Sequence, residues 1–394
     1  MNSGATFFSA MSRRILIVPD KFKGSLSALE AAEAIARGWA AACPGDSLAL
    51  LPMSDGGDGF GPVMAGALGL EEQIVNGVDA TGKARPTTWW LDSGAGQAVV
   101  ETAQSNGLAL LPKGQFHPFD LDTRGVGGLL LAAGQAGAAR CLTGIGGSAT
   151  NDGGFGMARA LGWVFRDEWG NAIEQWPGLD GLAAIESPVS RAWPIVTVAS
   201  DVQNHLLGVN GATRVYGPQK GMRPEDFAKA DACFGRLAKV AAETLGSDFS
   251  VMPGAGAAGG LGFGLMAFAG APVESGCEVF AEATDLVTKI GETDYVVTAE
   301  GAIDEQTLMG KGTGQVAALC RRLGKPCIGL AGQLALGKAE VYLGKQLYWR
   351  LAAIVPELAT QLESMASAAT QLERLAKREG NLIAGKDSSV LSGT

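Results

Sequence analysis

Histidine, paired cysteine and clustered basic residues are all scarce in this chain of 394 residues, and each scarcity removes a class of function. Only His117 and His205 occur, and neither has a second His or Cys at ligand spacing, which argues against a zinc site and leaves little room for Ser-His-Asp chemistry. No G-x-S-x-G elbow is present, so an α/β-hydrolase has no support. Six cysteines (Cys43, Cys141, Cys233, Cys277, Cys320 and Cys327) form no C-x-x-C pair and no disulfide framework, and read as buried thiols in a reducing cytoplasm. The net charge is −9 with no Lys/Arg cluster, so a nucleic-acid backbone lacks the basic footprint it needs. Residues 251–273 carry no charge and include G-x-x-x-G at Gly256 and Gly260, yet they do not read as a membrane helix. Gly and Ala dominate them, Pro253 and Pro272 interrupt them, and the flanking Asp248 and Glu274 are acidic. Arg13-Arg14 follows Phe7-Phe8, the reverse of signal-peptide order, so residues 1–12 read as a disordered extension; the small, polar stretch 385–394 reads the same way.

Glycine is abundant instead. With 58 of them, about twice ordinary usage and without a collagen period, the glycines serve loops and close packing. The length suits two domains. Five apolar runs end in polar or glycine loops: Ile15-Leu16-Ile17-Val18, Leu48-Ala49-Leu50-Leu51, Tyr295-Val296-Val297-Thr298, Cys327-Ile328-Gly329-Leu330 and Leu351-Ala352-Ala353-Ile354. Helical patterns separate most of them, one opened by the capping box Ser27-x-x-Glu30 and another over residues 314–323. This is βαβ grammar, and it predicts α/β architecture with a doubly wound parallel sheet whose ligands bind at the strand carboxyl ends. The sheet strands come from the two ends of the chain. Residues 77–287, with their own strands near 87–91, 98–101, 141–143 and 195–198, therefore read as a second α/β domain inserted into a discontinuous first one of residues 13–76 and 288–380. The expected site is the cleft between the two.

The richest loop is Gly144-Ile145-Gly146-Gly147-Ser148-Ala149-Thr150-Asn151-Asp152-Gly153-Gly154. Residues without Cβ such as Gly146 and Gly147 let successive N–H groups point at an anion, and the Ser148 and Thr150 hydroxyls can add donors there, with the Asn151 amide beside them. Asp152 beside a phosphate cradle calls for a cation or a hydroxylated substrate; the alternative is a tight turn. Asp20-Lys21-Phe22-Lys23-Gly24-Ser25 lies between the first strand and the first helix, where Lys21 or Lys23 can meet a phosphate or carboxylate. Asp55-Gly56-Gly57-Asp58-Gly59 can hold a metal or substrate hydroxyls, or simply turn the chain. Asp201 follows a strong strand and can accept a hydroxyl proton, bind metal or cap a turn. Gln219 and Lys220 form another loop-borne polar cluster. Glu300, Asp304 and the turn Gly310-Lys311-Gly312 repeat phosphate-and-metal grammar. Two motifs are discounted. Gly254-Ala255-Gly256-Ala257-Ala258-Gly259 matches G-x-G-x-x-G without a clear preceding strand, and Gly310-Lys311 lacks both the first glycine and the Ser/Thr of a P-loop.

Taken in order, Asp20 to Leu26, Pro52 to Gly59, Gly144 to Gly154, Gly217 to Gly221, Pro253 to Gly260 and Glu300 to Lys311 resemble the corresponding motifs of bacterial glycerate kinases over nearly the whole chain. The resemblance implies a flavodoxin-like domain carrying an unrelated α/β insert, and ATP- and Mg²⁺-dependent phosphorylation of glycerate, usually to 2-phosphoglycerate. Ala299 and Ala302 depart from a family pattern that often has Gly and Arg there. On this reading Asp201 and Lys23 are catalytic. Asp20, Lys21, Ser25, Asp55, Gly56, Gly57, Gly146, Gly147, Ser148, Asn151, Asp152, Gln219, Lys220 and Lys311 bind substrate or nucleotide, and Glu300 with Asp304 holds Mg²⁺. The expected partners are glycerate and ATP, with no nucleic acid or membrane, and homodimerisation is left open. The competing readings are a non-catalytic protein that binds or senses a small anion, and an NAD-dependent oxidoreductase.

Overall fold

The computed structural model describes residues 12–391, with the side chains of 338, 339, 341, 342 and 386–391 left aside. Its strands in chain order are β1 (Arg14–Pro19), β2 (Ser47–Leu50), β3 (Glu71–Val78), β4 (Ala84–Asp92), β5 (Gln97–Glu101), β6 (Arg140–Gly144), β7 (Val164–Asp167), β8 (Leu182–Glu186), β9 (Ile195–Ala199), β10 (Val273–Glu274), β11 (Tyr295–Ile303), β12 (Cys327–Leu334) and β13 (Arg350–Val355). They divide between two compact units. One holds the described residues up to Ser54 together with those from Phe280 onward, and the other is Asp55–Val279.

The first unit is built on a five-stranded sheet of order β13-β12-β11-β1-β2, parallel throughout. Ile15, Leu16, Ile17 and Val18 are all buried, which is why a continuous apolar run rather than an alternating one encodes this central strand. Counting only the unit's own strands, the order is 2-1-3-4-5, the flavodoxin-like arrangement. The helix Ala28–Ala42 begins with the expected box: the Ser27 hydroxyl accepts from the Glu30 amide at 3.2 Å, and the Glu30 carboxylate accepts from the Ser27 amide at 2.8 Å. Its apolar face, including Ala31, Ile35 and Trp39, is buried and meets the helix Ala368–Leu391. Gly38 permits the contact, since a Cβ there would stand 2.1 Å from the Glu373 carbonyl oxygen. The same helix runs through residues 385–391, and residues 1–11 and 392–394, expected to be disordered, lie outside the described part.

The second unit has a six-stranded sheet of order β10-β9-β6-β5-β4-β3. β5, β6, β9 and β10 are parallel, β4 and β3 are antiparallel additions, and β7 pairs with β8 in a separate ribbon. Its core contains Phe155, Phe165, Trp176, Phe234 and Phe268, with Phe165 and Phe268 packed edge to face. The division lies at Ser54/Asp55 and Val279/Phe280, ahead of the expected 76/77 and 287/288. β3 draws residues 71–76 into the second unit because it pairs along its whole length with β4. Among the described residues no helix is long and apolar enough to cross a membrane.

Candidate active site

In the first unit β1 leads through its helix to β2 on one side, while β11 leads to β12 and β13 on the other. The connections leaving β1 and β11 therefore diverge, and the crevice they open at the strand carboxyl ends is the switch point where doubly wound sheets bind ligands. A cavity of about 370 Å³ lies there, lined entirely by first-unit residues. Among them are Asp20, Lys21, Lys23, Ser25 and Glu300, so the structure brings five of the expected site residues together. Ala302, where the family often has Arg, also lines it.

Glu300 is clasped from one side. Its Oε1 accepts hydrogen bonds from the Thr307 hydroxyl at 3.0 Å and from the Thr313 hydroxyl. Burial raises its pKa to about 7; the charges of Asp20 and Asp304 act in the same direction, against the two hydroxyl bonds. A Cβ on Gly312 would stand 3.9 Å from Asp20 Oδ2 and 4.0 Å from Glu300 Oε2, so this glycine leaves a small cradle edged by two carboxylate oxygens. Asp304 is turned to another task. Its Oδ1 accepts from the Gln306 and Thr307 amides at 2.8 and 3.2 Å, capping the turn Glu305–Leu308. Neither Asp304 nor the exposed Lys311 lines the cavity. No group of three or more His, Cys, Asp or Glu side chains suited to a metal occurs among the described residues, so a cation in the cradle would draw on Asp20, Glu300 and its substrate.

In the second unit the loops after β6 and β9 and the turns at residues 55–59 and 275–276 meet at the sheet's carboxyl edge. Glycines set the distances. A Cβ on Gly56 would be 2.1 Å from the Ala199 carbonyl oxygen, one on Gly276 1.9 Å from that of Asp55, and one on Gly147 1.7 Å from Asp58 Oδ1. These contacts place Asp55, expected in the sheet domain, with the insert. Asp55 Oδ1 accepts from the Gly57 amide at 3.0 Å, an Asx turn. Asp201 Oδ1 accepts from the Ser275 hydroxyl and the Gly276 amide, both at 2.9 Å.

Beneath the Gly144 loop the polar groups are buried. Lys220 is only 5% exposed, and its ammonium donates to Ser148 Oγ at 2.8 Å and the Thr150 carbonyl at 2.5 Å. Burial pushes it down to about pKa 7, against the pull of Asp152. Asp152 accepts from the Thr123 amide and hydroxyl and from the Gly154 and Gly156 amides; burial pushes it up to about 6, helped by Asp122 and opposed by those donors. The buried Asn151 amide has no hydrogen-bond partner at either end. Ser148 Oγ donates to the Ala258 carbonyl at 3.1 Å, and Ala258 itself has φ +53°, a left-handed conformation that a non-glycine residue holds only where its surroundings enforce it. Gln219 is exposed on the turn Pro218–Lys220.

Several site residues escape sequence reasoning. Glu101 is buried at the end of β5 and accepts from the Gly59 and Gly61 amides at 2.9 and 3.0 Å; Thr123 holds Asp152, and Thr307 and Thr313 hold Glu300. The one available signal was a lone carboxylate ending the apolar run Ala98-Val99-Val100-Glu101. The stretch before Gly254-Ala255-Gly256 is a turn and not a strand, so the dinucleotide-type motif lacks its setting.

Paired α/β units with glycine- and lysine-bearing loops gathered at strand carboxyl ends, and carboxylates set among them, define a protein built to handle small anions. The glycerate kinase family model matches residues 15–384, and the chain belongs to that family. It is 40% identical to the glycerate kinase of Bacillus subtilis (strain 168), a match covering 92% of this chain and 96% of the relative. To the glycerate 2-kinase of Escherichia coli (strain K12) it is 39% identical over 82% of this chain and 85% of the relative. A crystal structure from Salmonella typhimurium LT2, carrying the provisional name glycerate kinase 2, superposes with a TM-score of 0.82 at 35% identity, covering 95% of this chain and 100% of that one.

Proposed function

We propose that this protein transfers the γ-phosphoryl group of ATP to a hydroxyl of glycerate, giving 2-phosphoglycerate and ADP. Family membership supports the reaction class. The observation that carries the reading is the convergence of Lys21, Lys23, Asp20 and Glu300 on one switch-point cavity, because phosphoryl transfer depends chiefly on positioning and charge neutralisation. Lys23 and Lys21 neutralise phosphate oxygens, and the Gly146-Gly147-Ser148 segment, held from below by Lys220, offers donors to a second anionic group. Asn151 adds an amide that still lacks a partner. Asp201 accepts the proton of the attacking hydroxyl, its carboxylate fixed by Ser275 and Gly276.

The residues that would hold Mg²⁺ are Glu300 and Asp20, edging the cradle at Gly312, with Asp304 close behind Glu300 in the chain and its charge acting on Glu300. When bound, the ion neutralises charge on the phosphates. The six free, buried thiols suit a reducing cytoplasm. A coupled ADP-release assay with ATP, Mg²⁺ and glycerate, followed by phosphorus NMR of the product, tests the reading. ADP release above background and a 2-phosphate resonance are expected; no release sinks it.

A further inference from the structure

The switch-point cavity contains chemistry that its lysines do not explain. Sheet order sets the spatial order of its walls: β11 lies between β1 and β12, so the β1 loop with Lys21 and Lys23 stands on one side and Gln333, near the end of β12, on the other. Beyond β12, the helix Gln361–Ala366 packs on β13 and contributes Gln361 and Met365 to the lining, followed by Ala368. The cavity thus grades from ammonium groups to two carboxamides beside apolar surface.

That gradient matches an elongated ligand with a polyanionic tail and a flat head. A carboxamide carries a donor and an acceptor side by side, the pattern that reads the N6/N7 edge of adenine, and a methionine side chain suits the face of such a ring. Glycerate has no flat apolar part for such a wall to cover, and it fills only a fraction of about 370 Å³, a volume within the ordinary range for sites of larger ligands. Met365 is 55% exposed at this wall, apolar surface that a bound ring would cover.

We propose that the first-unit cavity seats the nucleotide, its phosphates toward Lys21 and Lys23 and its base against Gln333, Gln361 and Met365, which makes the two glutamines the residues that select the purine. The inference rests on the phosphotransferase reading above for the identity of the ligand.

Full-length wild type, Gln333→Leu and Gln361→Leu are compared by calorimetric titration with ADP alone and by steady-state kinetics with ATP, GTP and glycerate. Gln361 is exposed, so its replacement does not disturb packing, and thermal midpoints check folding of both variants. Each variant is expected to bind ADP roughly tenfold more weakly and to raise the KM for ATP by a similar factor, the loss of a paired contact to a base edge. The KM for glycerate stays within about twofold and the preference for ATP over GTP shrinks, in line with a contact confined to the base. If the KM for glycerate rises while that for ATP holds, the cavity seats the acid and the proposal falls. Folded variants with wild-type constants for both substrates overturn it as well. Each of those results leaves turnover by the wild type intact and is therefore separable from failure of the phosphotransferase reading, in which the wild type releases no ADP at all.

Discussion

In the first unit Lys23 is exposed at the rim of a cavity, whereas in the second unit Lys220 is sealed beneath a loop with its protons donated to Ser148 and Thr150. The glycines differ in the same sense. Gly24 has φ +80° and open space where a Cβ would be, while Gly259, at φ +71°, would put one 2.1 Å from the Thr150 carbonyl oxygen and 2.8 Å from the Lys220 ammonium. One loop is open around its glycine, and the other is braced from beneath by its own chain. Substitutions in the first should register as binding; in the second they should register as folding.

Five substitutions bear on that contrast. Gly259→Ala meets both the left-handed backbone and a backbone oxygen that cannot retreat, and is expected to lower stability by roughly 3 kcal/mol or more, against about 1 kcal/mol for Gly24→Ala, which meets only the backbone term. Denaturant midpoints measure both, and equal losses would break the comparison. Asp201→Asn keeps an oxygen for Ser275 and Gly276 but removes the charge. A fall in kcat of roughly a hundredfold with little change in thermal midpoint is expected of a proton acceptor. Near-normal turnover with a lowered midpoint would make Asp201 a structural cap for the turn at Ser275 and Gly276.

The buried pair gives a pH signature. Lys220 titrates at about 7 in the fold against its ordinary 10.5, so between those values the unfolded chain holds more protons and stability rises with pH. Asp152 titrates at about 6 against 3.8, so between those values the folded chain holds more protons and stability falls with pH. Thermal midpoints should pass through a shallow minimum at about pH 6 to 7, and Lys220→Met should flatten its alkaline side. An unchanged alkaline slope would mean that Lys220 stays protonated in the fold. The smallest effect belongs to the first unit's surface: Ser27→Ala removes the cap of Ala28–Ala42 at a cost of about 1 kcal/mol, with the KM values untouched.

The strands of the parallel sheet were legible because burial on both faces demands unbroken apolar runs, as in Ile15-Leu16-Ile17-Val18. β3 was not. It is an edge strand paired on one side only, and Glu71, Glu72 and Ile74 are exposed along it, so neither alternation nor a continuous run announces it. That omission moved the expected domain boundary. At the site, the loops declared themselves through glycine beside charge, but the groups that hold them did not. Thr123 beneath Asp152 and Thr313 beside Glu300 are single hydroxyls in ordinary helical beginnings, and only the fold shows what they touch. Gln333 reaches the cavity from the end of β12 and Gln361 from the start of the helix Gln361–Ala366, a coincidence that no local pattern can encode.

The insertion point has a consequence for how the chain acquires its shape. β1 must pair with β11, so Val18 and Thr298 meet across 280 residues, a closure that is slow and entropically unfavourable for an unfolded tether. Yet Asp55 and Gly276, near the two ends of the intervening unit, are held in contact by that unit's own packing. Once Asp55–Val279 has folded, the effective tether between β2 and β11 shrinks to its short flanks, which lowers the closure cost by about 2 kcal/mol on a logarithmic length dependence. Synthesis from the N-terminus favours the same order, since the whole second unit is made before β11 exists. The later-closing first unit therefore inherits its nucleus from a sequence that contributes no strand to its sheet.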